Sequence, residues 1–140
     1  MVKNNPGYLY RQNHVATATP LGLIILLYDK LSAVLANAEN ALSEMDSERS
    51  AKLLGKAHAI IYELMASLDF EKGGDIARNL YRIYEYMNYR LLQANIKRDP
   101  SIAVEIRALV IKLKEGWEEV ERKTGSAQRV NAWAETGSFG

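Results

Sequence analysis

The feature that most constrains the fold is the recurrence of apolar residues at three- and four-residue intervals along four successive segments of the chain. This spacing places the apolar side chains on one face of an α-helix, whereas a half-buried β-strand needs alternation with a period of two. No long stretch of the sequence alternates in that way. The pattern therefore predicts an all-α protein.

Two of the predicted helices begin at a proline. Thr19 precedes Pro20 and Asp99 precedes Pro100. The threonine and aspartate side chains can cap a helix, and proline fits the first helical position because the N–H that it lacks has no partner there. These two pairs mark where the first and last long helices start.

The other two boundaries carry turn-forming residues. Asp46 and Ser47 separate the first two long segments, and Gly73 and Gly74 separate the next two. Glycine suits a helix end because it tolerates the left-handed backbone conformation found there. We predict helices at approximately 20–45, 48–71, 75–97 and 100–124.

These helices predict an antiparallel four-helix bundle in one domain over residues 19–125, because short connections make consecutive helices antiparallel neighbours. Residues 1–18 are predicted to form an N-terminal arm or short helix packed against the bundle, and residues 126–140 a flexible tail. The core stripe predicted for the first helix is Ile24, Leu27, Tyr28, Leu31, Leu35, Ala38, Leu42 and Met45.

The composition argues against several classes of protein. The 18 basic and 17 acidic residues are interspersed and give a net charge of +1, without the basic stripe of a nucleic-acid-binding protein. The absence of cysteine excludes disulfides and thiolate metal sites and favours the cytoplasm. The longest apolar run, residues 21–28, is much shorter than the approximately 20 residues of a membrane-spanning helix. We therefore expect a soluble protein that does not insert into membranes.

The sequence contains no recognisable catalytic or cofactor motif. The two histidines, His14 and His58, lack the Glu-x-x-His spacing of a di-iron bundle. Gly73 and Gly74 form an isolated pair and not a phosphate-binding loop, and no serine lies in a nucleophile motif. We predict no catalytic residue, cofactor or metal, and expect that the protein is not an enzyme.

Several helices carry more apolar residues than one buried stripe requires. Single surface apolar residues are common, but extra apolar rows on adjacent helices would form a groove that fits a protein partner. The candidate partner-binding residues of the helices, some of which must belong to the core, are Leu23, Leu26, Leu27, Tyr28, Ile61, Met65, Tyr81, Tyr89 and Leu92.

Three blocks of the sequence, in order, resemble the flagellin-specific export chaperone family, FliS. The blocks are Tyr10, Val15-Ala16-Thr17-Ala18-Thr19-Pro20, Leu23 and Leu26-Leu27-Tyr28-Asp29; Ala57, Ile60-Ile61, Leu64, Leu68-Asp69, Glu71, Gly73-Gly74, Ile76-Ala77, Asn79-Leu80, Tyr84 and Tyr86; and Ala94-Asn95, Leu109, Leu113 and Trp117. Each block alone is a common helical pattern, so the order and spacing of all three make the resemblance specific. It covers roughly residues 5–120. Its structural motif residues are Thr19, Pro20, Gly73, Gly74, Asn79, Tyr84 and Trp117.

The resemblance implies a helical bundle in the bacterial cytoplasm that binds the disordered C-terminal segment of flagellin, one segment per chaperone. Binding would prevent premature polymerisation and assist delivery to the flagellar type III export apparatus, whose gate and other flagellar regulators are further possible partners. The arm, with Tyr8, Tyr10 and Val15, would cover part of the binding surface in the free protein. We therefore expect deletion of residues 1–16 to tighten flagellin binding, unless Tyr10 itself contacts flagellin.

Three other interpretations compete with the resemblance. A bundle that self-associates through its extra apolar rows would show a concentration-dependent mass without any ligand. An enzyme would carry a bound metal or cofactor. A helical nucleic-acid-binding protein is disfavoured by the near-neutral charge.

Overall fold

A computed structural model of the chain describes residues 20–124, and the fold of this part is entirely α-helical. It consists of four helices: α1 (Pro20–Ser43), α2 (Ser47–Ala66), α3 (Phe70–Lys97) and α4 (Pro100–Thr124). Each helix packs against the helices that precede and follow it, and α1 also packs against α4 and closes the ring. Because the connections are short, the helices alternate in direction. The predicted all-α antiparallel bundle is confirmed; its predicted arm lies outside the described residues.

Aspartate side chains cap the three later helices. The carboxylate of Asp46 accepts a hydrogen bond from the backbone N–H of Arg49 at 3.1 Å, at the start of α2. Asp99 accepts a bond from the backbone N–H of Ser101 at 2.9 Å, at the start of α4. The hydroxyl and backbone N–H of Ser101 hold the pKa of Asp99 below its usual value. Each bond satisfies a donor that has no partner inside the helix.

The boundary between α2 and α3 differs from the prediction. α2 ends at Ala66, and the hydroxyl of Ser67 donates a hydrogen bond to the backbone oxygen of Leu64 at 2.7 Å. Asp69 then caps a new helix by accepting from the backbone N–H of Lys72 at 3.0 Å. The cap lies before the two glycines, so α3 begins at Phe70 and the glycines follow its first turn.

Gly74 nevertheless bends the beginning of α3. Its backbone has φ +53° and ψ −127°, outside helical values, and produces a kink. Glycine adopts this conformation readily because it has no Cβ. The helix that carries the partner-binding candidates continues beyond this kink, from Asp75 to Lys97.

Met45 is not part of the core stripe of α1, contrary to the prediction. α1 ends at Ser43, and Met45 has φ +58° and is 83% exposed in the turn that follows. The turn is closed by a hydrogen bond from the backbone N–H of Asp46 to the oxygen of Ala41 at 2.9 Å. The apolar spacing continues past the end of the helix, so spacing alone overestimated its length.

One continuous apolar core runs through the four helices. α1 supplies the largest group of residues that are nearly inaccessible to solvent, including Leu31 and Leu35. Among the helices of residues 20–124, only α1 is long and apolar enough to cross a membrane, a criterion that the core helix of a soluble protein also meets. The core residues are Ile24, Tyr28, Leu31, Leu35, Ala38, Leu42, Leu54, Ala57, Ile60, Ile61, Leu64, Leu80, Tyr84, Met87, Leu91, Ala94, Ile102, Ala103, Ile106 and Val110.

Candidate functional site

Exposed apolar residues are concentrated on α3. This helix contributes half of the large apolar side chains that are exposed in the described part of the chain, and Tyr89 and Leu92 are 57% and 52% exposed. They lie outside the buried face of α3, since they fall between the positions of the core stripe. The exposed side chains of α3 are Phe70, Ile76, Tyr86, Tyr89, Leu92 and Ile96.

The line along which α2 and α3 meet forms an extended candidate surface. Residues three and four apart on a helix share a face, which aligns Gly55, His58, Tyr62 and Met65 along α2. A hydrogen bond of 2.7 Å between His58 Nδ1 and Asn88 Oδ1 joins this row to α3. We define the α2–α3 seam as Gly55, His58, Tyr62 and Met65 of α2 with Tyr81, Asn88 and Leu92 of α3.

The middle of the seam is polar, although its neighbours are apolar. His58 and Asn88 are half-buried. The amide nitrogen of Asn88 also lies 3.8 Å from the sulfur of Met65. Met65 packs against the core, and Tyr62 beside it is exposed. The seam thus offers hydrogen-bonding groups at its centre and aromatic and aliphatic groups around them.

Hydrogen bonds hold Tyr89 in place beside the seam. Its hydroxyl accepts a bond from the side-chain amide of Gln93 at 3.1 Å, and the Gln93 oxygen accepts from Arg90 at 2.6 Å. Arg90 in turn pairs with Glu105 of α4 at 2.7 Å. This chain of contacts orients an exposed aromatic ring, which favours binding because less side-chain freedom is lost when a partner arrives.

The same network sets the charge state of Glu105. Hydrogen bonds from Arg90, and then from the Tyr86 hydroxyl at 2.5 Å, hold the pKa of this carboxyl below its usual value. Bonding to the Glu105 carboxylate raises the pKa of Tyr86. The carboxylate is therefore ionised near neutral pH, where it links α3 to α4.

Gly55 leaves an open position in the seam. A Cβ atom built at this residue meets nothing within 4 Å, so packing within the described bundle does not require glycine. Glycine inside a helix is less favourable than alanine by up to about 1 kcal/mol. The open position lies one helical turn from His58, where a partner side chain has room.

Two of the predicted partner-binding residues, Tyr28 and Ile61, are fully buried in the core, and here the structure corrects the prediction. The hydroxyl of Tyr28 lies 2.6 Å from that of Tyr84 and accepts a bond from the indole N–H of Trp117 at 3.0 Å. Burial raises the pKa of both tyrosines. α1 and α2 are apolar on several faces. Helical spacing therefore could not show whether these two residues lie on the buried face or on an exposed face of their helices.

The structure does not bring the other predicted residues of α1 to the seam. Leu26 is 39% exposed, and Leu23 and Leu27 are half-buried. All three lie on a helix that packs on α2 and α4 and lies diagonally across the bundle from α3. Tyr8, Tyr10 and Val15, and the predicted capping residue Thr19, lie outside the described residues.

The seam contains three of the predicted partner-binding residues, and a fourth lies beside it. Met65, Tyr81 and Leu92 line it, and Tyr89 flanks it. The ring of Tyr81 packs edge-on against Phe70, with centroids 5.7 Å apart. Asn79, predicted as a structural residue, is exposed on α3.

Our sequence reasoning overlooked Gly55, Tyr62 and the bond between His58 and Asn88. The spacing of Gly55, Tyr62 and Met65 could have revealed the first two, since they lie on one helical face. Nothing in the sequence pairs His58 with Asn88, which are 30 residues apart.

The described residues show no cluster of side chains suited to holding a metal ion. Within residues 20–124, no group of three or more histidine, aspartate, glutamate or cysteine side chains is placed to hold a metal ion. The titratable groups around the seam form surface ion pairs and hydrogen bonds between helices. The fold and this surface together define a helical bundle with an open, partly apolar seam, the kind of surface that binds another protein.

Comparison with known proteins agrees with a helical bundle that binds another protein, and it identifies the family. The model of the family described as "Flagellar protein FliS" matches residues 3–124. The chain is similar to the flagellar secretion chaperone FliSB of Pseudomonas aeruginosa, with 41% identity over 76% of this chain and 84% of the relative. It is also similar to the flagellar secretion chaperones FliS of Salmonella typhimurium (38% identity, 80% and 84% coverage) and Bacillus subtilis (35% identity, 88% and 93% coverage). The chain belongs to the FliS family of flagellar secretion chaperones.

Proposed function

We propose that this protein is a cytoplasmic chaperone that binds the C-terminal segment of flagellin through the α2–α3 seam. It keeps the segment from polymerising early and assists its delivery to the flagellar type III export apparatus. The observation that carries the proposal is an extended, partly apolar seam on a member of a flagellar secretion chaperone family. A secretion chaperone must bind its cargo reversibly, and an open surface permits this.

The dimensions of the seam suit a segment that folds as it binds. α2 has 20 residues, which at 1.5 Å per residue gives a surface about 30 Å long. An amphipathic helix of about 20 residues could lie along it with one apolar face buried. A disordered flagellin segment would gain this structure only on the chaperone, and its ordering cost would keep the complex dissociable.

The side chains of the seam fit such a ligand. Tyr62, Tyr89 and Leu92 present large apolar areas that water covers in the free bundle. Tyrosine and leucine side chains of this exposure gain favourable burial when a partner covers them, at about 25 cal/mol per Å² of apolar area. Because Tyr89 is already held by Gln93, it is the strongest candidate for an anchor of the complex.

Isothermal titration with a peptide of about 40 residues from the C-terminus of the flagellin of the same organism tests the proposal. We expect one-to-one binding, a large negative heat-capacity change and a gain of helical circular dichroism. Leu92→Ala should weaken binding about ten-fold or more, as truncation of a central interface residue does. The control Val104→Ala, on an exposed position of α4, should bind within about two-fold of the unmodified protein.

Absence of heat and of helix gain at tens of micromolar would contradict the proposal. Equal losses in the Leu92→Ala and Val104→Ala variants would show that the seam is not the preferred site. The exposed apolar residues of α3 also suit a second copy of the chain. A mass that rises with protein concentration in sedimentation without peptide would favour self-association as the function of this surface.

A further inference from the structure

The polar pair at the centre of the seam has a defined hydrogen-bonding state. His58 Nδ1 and Asn88 Oδ1 lie 2.7 Å apart. An amide oxygen can only accept, so Nδ1 carries the proton that is shared between them. In the neutral imidazole the other ring nitrogen, Nε2, is then an acceptor with a free lone pair.

Both members of the pair have unused hydrogen-bonding capacity. Among residues 20–124, the only partner of the Asn88 amide nitrogen is the sulfur of Met65 at 3.8 Å, a weak acceptor, although this nitrogen has two N–H donors. His58 Nε2 has no partner in the same range of residues, and it is not one of the atoms sealed from solvent. Neither atom therefore has a strong hydrogen-bond partner among the described residues.

A partner that covers the seam would exclude water from both groups. Tyr62 and Leu92 flank the pair with apolar surface, so a purely apolar ligand face would bury the acceptor and the donor without partners. Leaving a buried polar group unpaired lowers affinity about ten-fold or more. The ligand must therefore present a donor for His58 and an acceptor for Asn88.

We infer that His58 and Asn88 form a carboxamide-binding subsite within the seam, an inference that rests on the proposed function. The C=O of the bound amide accepts a hydrogen bond from Asn88, and its N–H donates to His58 Nε2. The amide comes either from an asparagine or glutamine side chain of the partner or from its main chain at a break in its helix, because main-chain amides inside a helix are already paired.

The subsite fixes the position of the bound segment along the seam. An amphipathic segment can slide along an apolar surface by one helical turn with little change in buried area. A single polar pair that must be satisfied favours one alignment over the others, as a buried asparagine does in coiled coils. The flagellin segment would thus be held in one position, with the apolar groups around the pair supplying most of the affinity.

Substitutions of His58 separate this role from simple packing. His58→Asn keeps a donor close to Asn88, but its acceptor oxygen lies nearer the backbone than Nε2 does, so no acceptor remains at the Nε2 position. His58→Phe keeps most of the ring volume and removes both nitrogens. Each should weaken binding of the flagellin peptide about ten-fold or more in titration calorimetry. The control Val104→Ala, on an exposed position of α4 outside the seam, should bind within about two-fold. Thermal unfolding of each free variant checks that the bundle is intact.

Nitrogen NMR of the imidazole supplies a readout that packing alone would not change. With ¹⁵N-labelled histidine, the His58 Nε2 resonance should move toward lower frequency on peptide binding, as an acceptor nitrogen does when it receives a hydrogen bond. An unchanged resonance, or wild-type affinity in His58→Phe, would overturn the inference while leaving the proposed function intact. Failure of the unmodified protein to bind the peptide would overturn both.

Substitutions in the peptide identify the source of the amide. Each asparagine and glutamine is replaced by alanine in turn, and the peptides are titrated against the unmodified protein and His58→Phe. If one replacement weakens binding to the unmodified protein but not to His58→Phe, that side chain supplies the amide. If none does so while His58→Phe still weakens binding, a main-chain amide occupies the subsite.

Discussion

The centre of the bundle and the α2–α3 seam both combine aromatic rings with hydrogen-bonding groups, but they differ in how those groups are paired. In the core, the hydroxyls of Tyr28 and Tyr84 bind each other, and Tyr28 also accepts from Trp117. In the seam, His58 and Asn88 bind each other and retain hydrogen-bonding capacity that no strong partner among the described residues uses. The first arrangement stabilises the fold, and the second leaves a surface that can still bind.

This difference means that similar residues have different consequences when they are changed. Loss of a core group leaves a cavity or an unpaired neighbour inside the protein. Loss of a seam group leaves a surface that water fills, so the free protein changes little. The following substitutions test this contrast, from the largest expected effect to the smallest.

The largest contrast comes from the same substitution in both regions. Leu35→Ala removes a fully buried side chain and should lower the free energy of unfolding by about 3 kcal/mol. Leu92→Ala removes a half-exposed one and should lower it by less than about 1 kcal/mol. Chemical denaturation followed by circular dichroism measures both values. Similar losses would show that the seam contributes to stability as the core does.

The two tyrosine hydroxyls of the core should differ in how much they stabilise the fold. Tyr28→Phe removes the partner of both Tyr84 and the indole N–H of Trp117, and should cost about 2 kcal/mol of unfolding free energy. Tyr84→Phe leaves the bond between Trp117 and Tyr28 in place and should cost about 1 kcal/mol. Denaturation of the two variants side by side gives the order. A larger loss for Tyr84→Phe would contradict the central position of Tyr28.

Glycine substitutions sharpen the comparison by filling the open position of the seam. Gly55→Ala should raise the free energy of unfolding by up to about 1 kcal/mol, because alanine favours the helix and its Cβ meets no atom. Gly55→Leu should also leave the bundle folded, but it should weaken binding of the flagellin peptide by about ten-fold through occupation of the partner's space.

Gly116 provides the matched control, since a Cβ built there on α4 also meets nothing within 4 Å. Gly116→Leu should leave peptide affinity within about two-fold, as expected for a residue outside the interface. If both leucine variants bind as the unmodified protein does, the space beside Gly55 is not part of the binding surface.

The smallest effect concerns the network that holds Tyr89. The folded-state pKa of Glu105 lies below its ordinary value of 4.5, chiefly because Arg90 donates to it. Its contribution to stability is therefore present above the ordinary pKa and is lost as the pH falls through the lowered folded-state value. Glu105→Gln should show a smaller fall in thermal midpoint between about pH 6 and pH 3 than the unmodified protein.

Part of the acid-dependent loss should remain in Glu105→Gln. The pKa of Asp99 is also lowered, by Ser101, so this helix cap is lost in the same direction as the pH falls below its ordinary value of 3.8. An identical pH dependence in Glu105→Gln and the unmodified protein would show that the Arg90–Glu105 pair does not contribute to stability.

Sequence reasoning reached the helical bundle because apolar spacing and capping residues are local signals. It placed helix starts at Pro20 and Pro100, where the structure has them. It extended α2 past Ala66 because it gave the two glycines more weight than the cap at Asp69, although a capping bond is worth about 1 kcal/mol. It extended α1 to Met45 because apolar spacing says nothing about where the backbone turns.

The candidate site was harder to predict than the fold. A helix that is apolar on several sides gives no indication of which side faces the core, so Tyr28 and Ile61 were assigned to a partner surface that they do not reach. The exposure of Tyr89 and Leu92 was easier to predict, since α3 has polar residues that separate its exposed row from its core stripe. The pairing of His58 with Asn88 required knowledge of how α2 lies against α3.

The sequence by itself determined the number of helices, the approximate places where they begin and the family to which the chain belongs. These properties depend on residues that are close in the sequence, because such residues set the local backbone conformation and determine which side chains share a face of a helix. Tertiary structure decided which apolar rows became core and which remained open, and it brought His58 to Asn88 and Tyr28 to Tyr84. Those outcomes depend on how the helices rotate and align against one another, which no single segment of the sequence specifies.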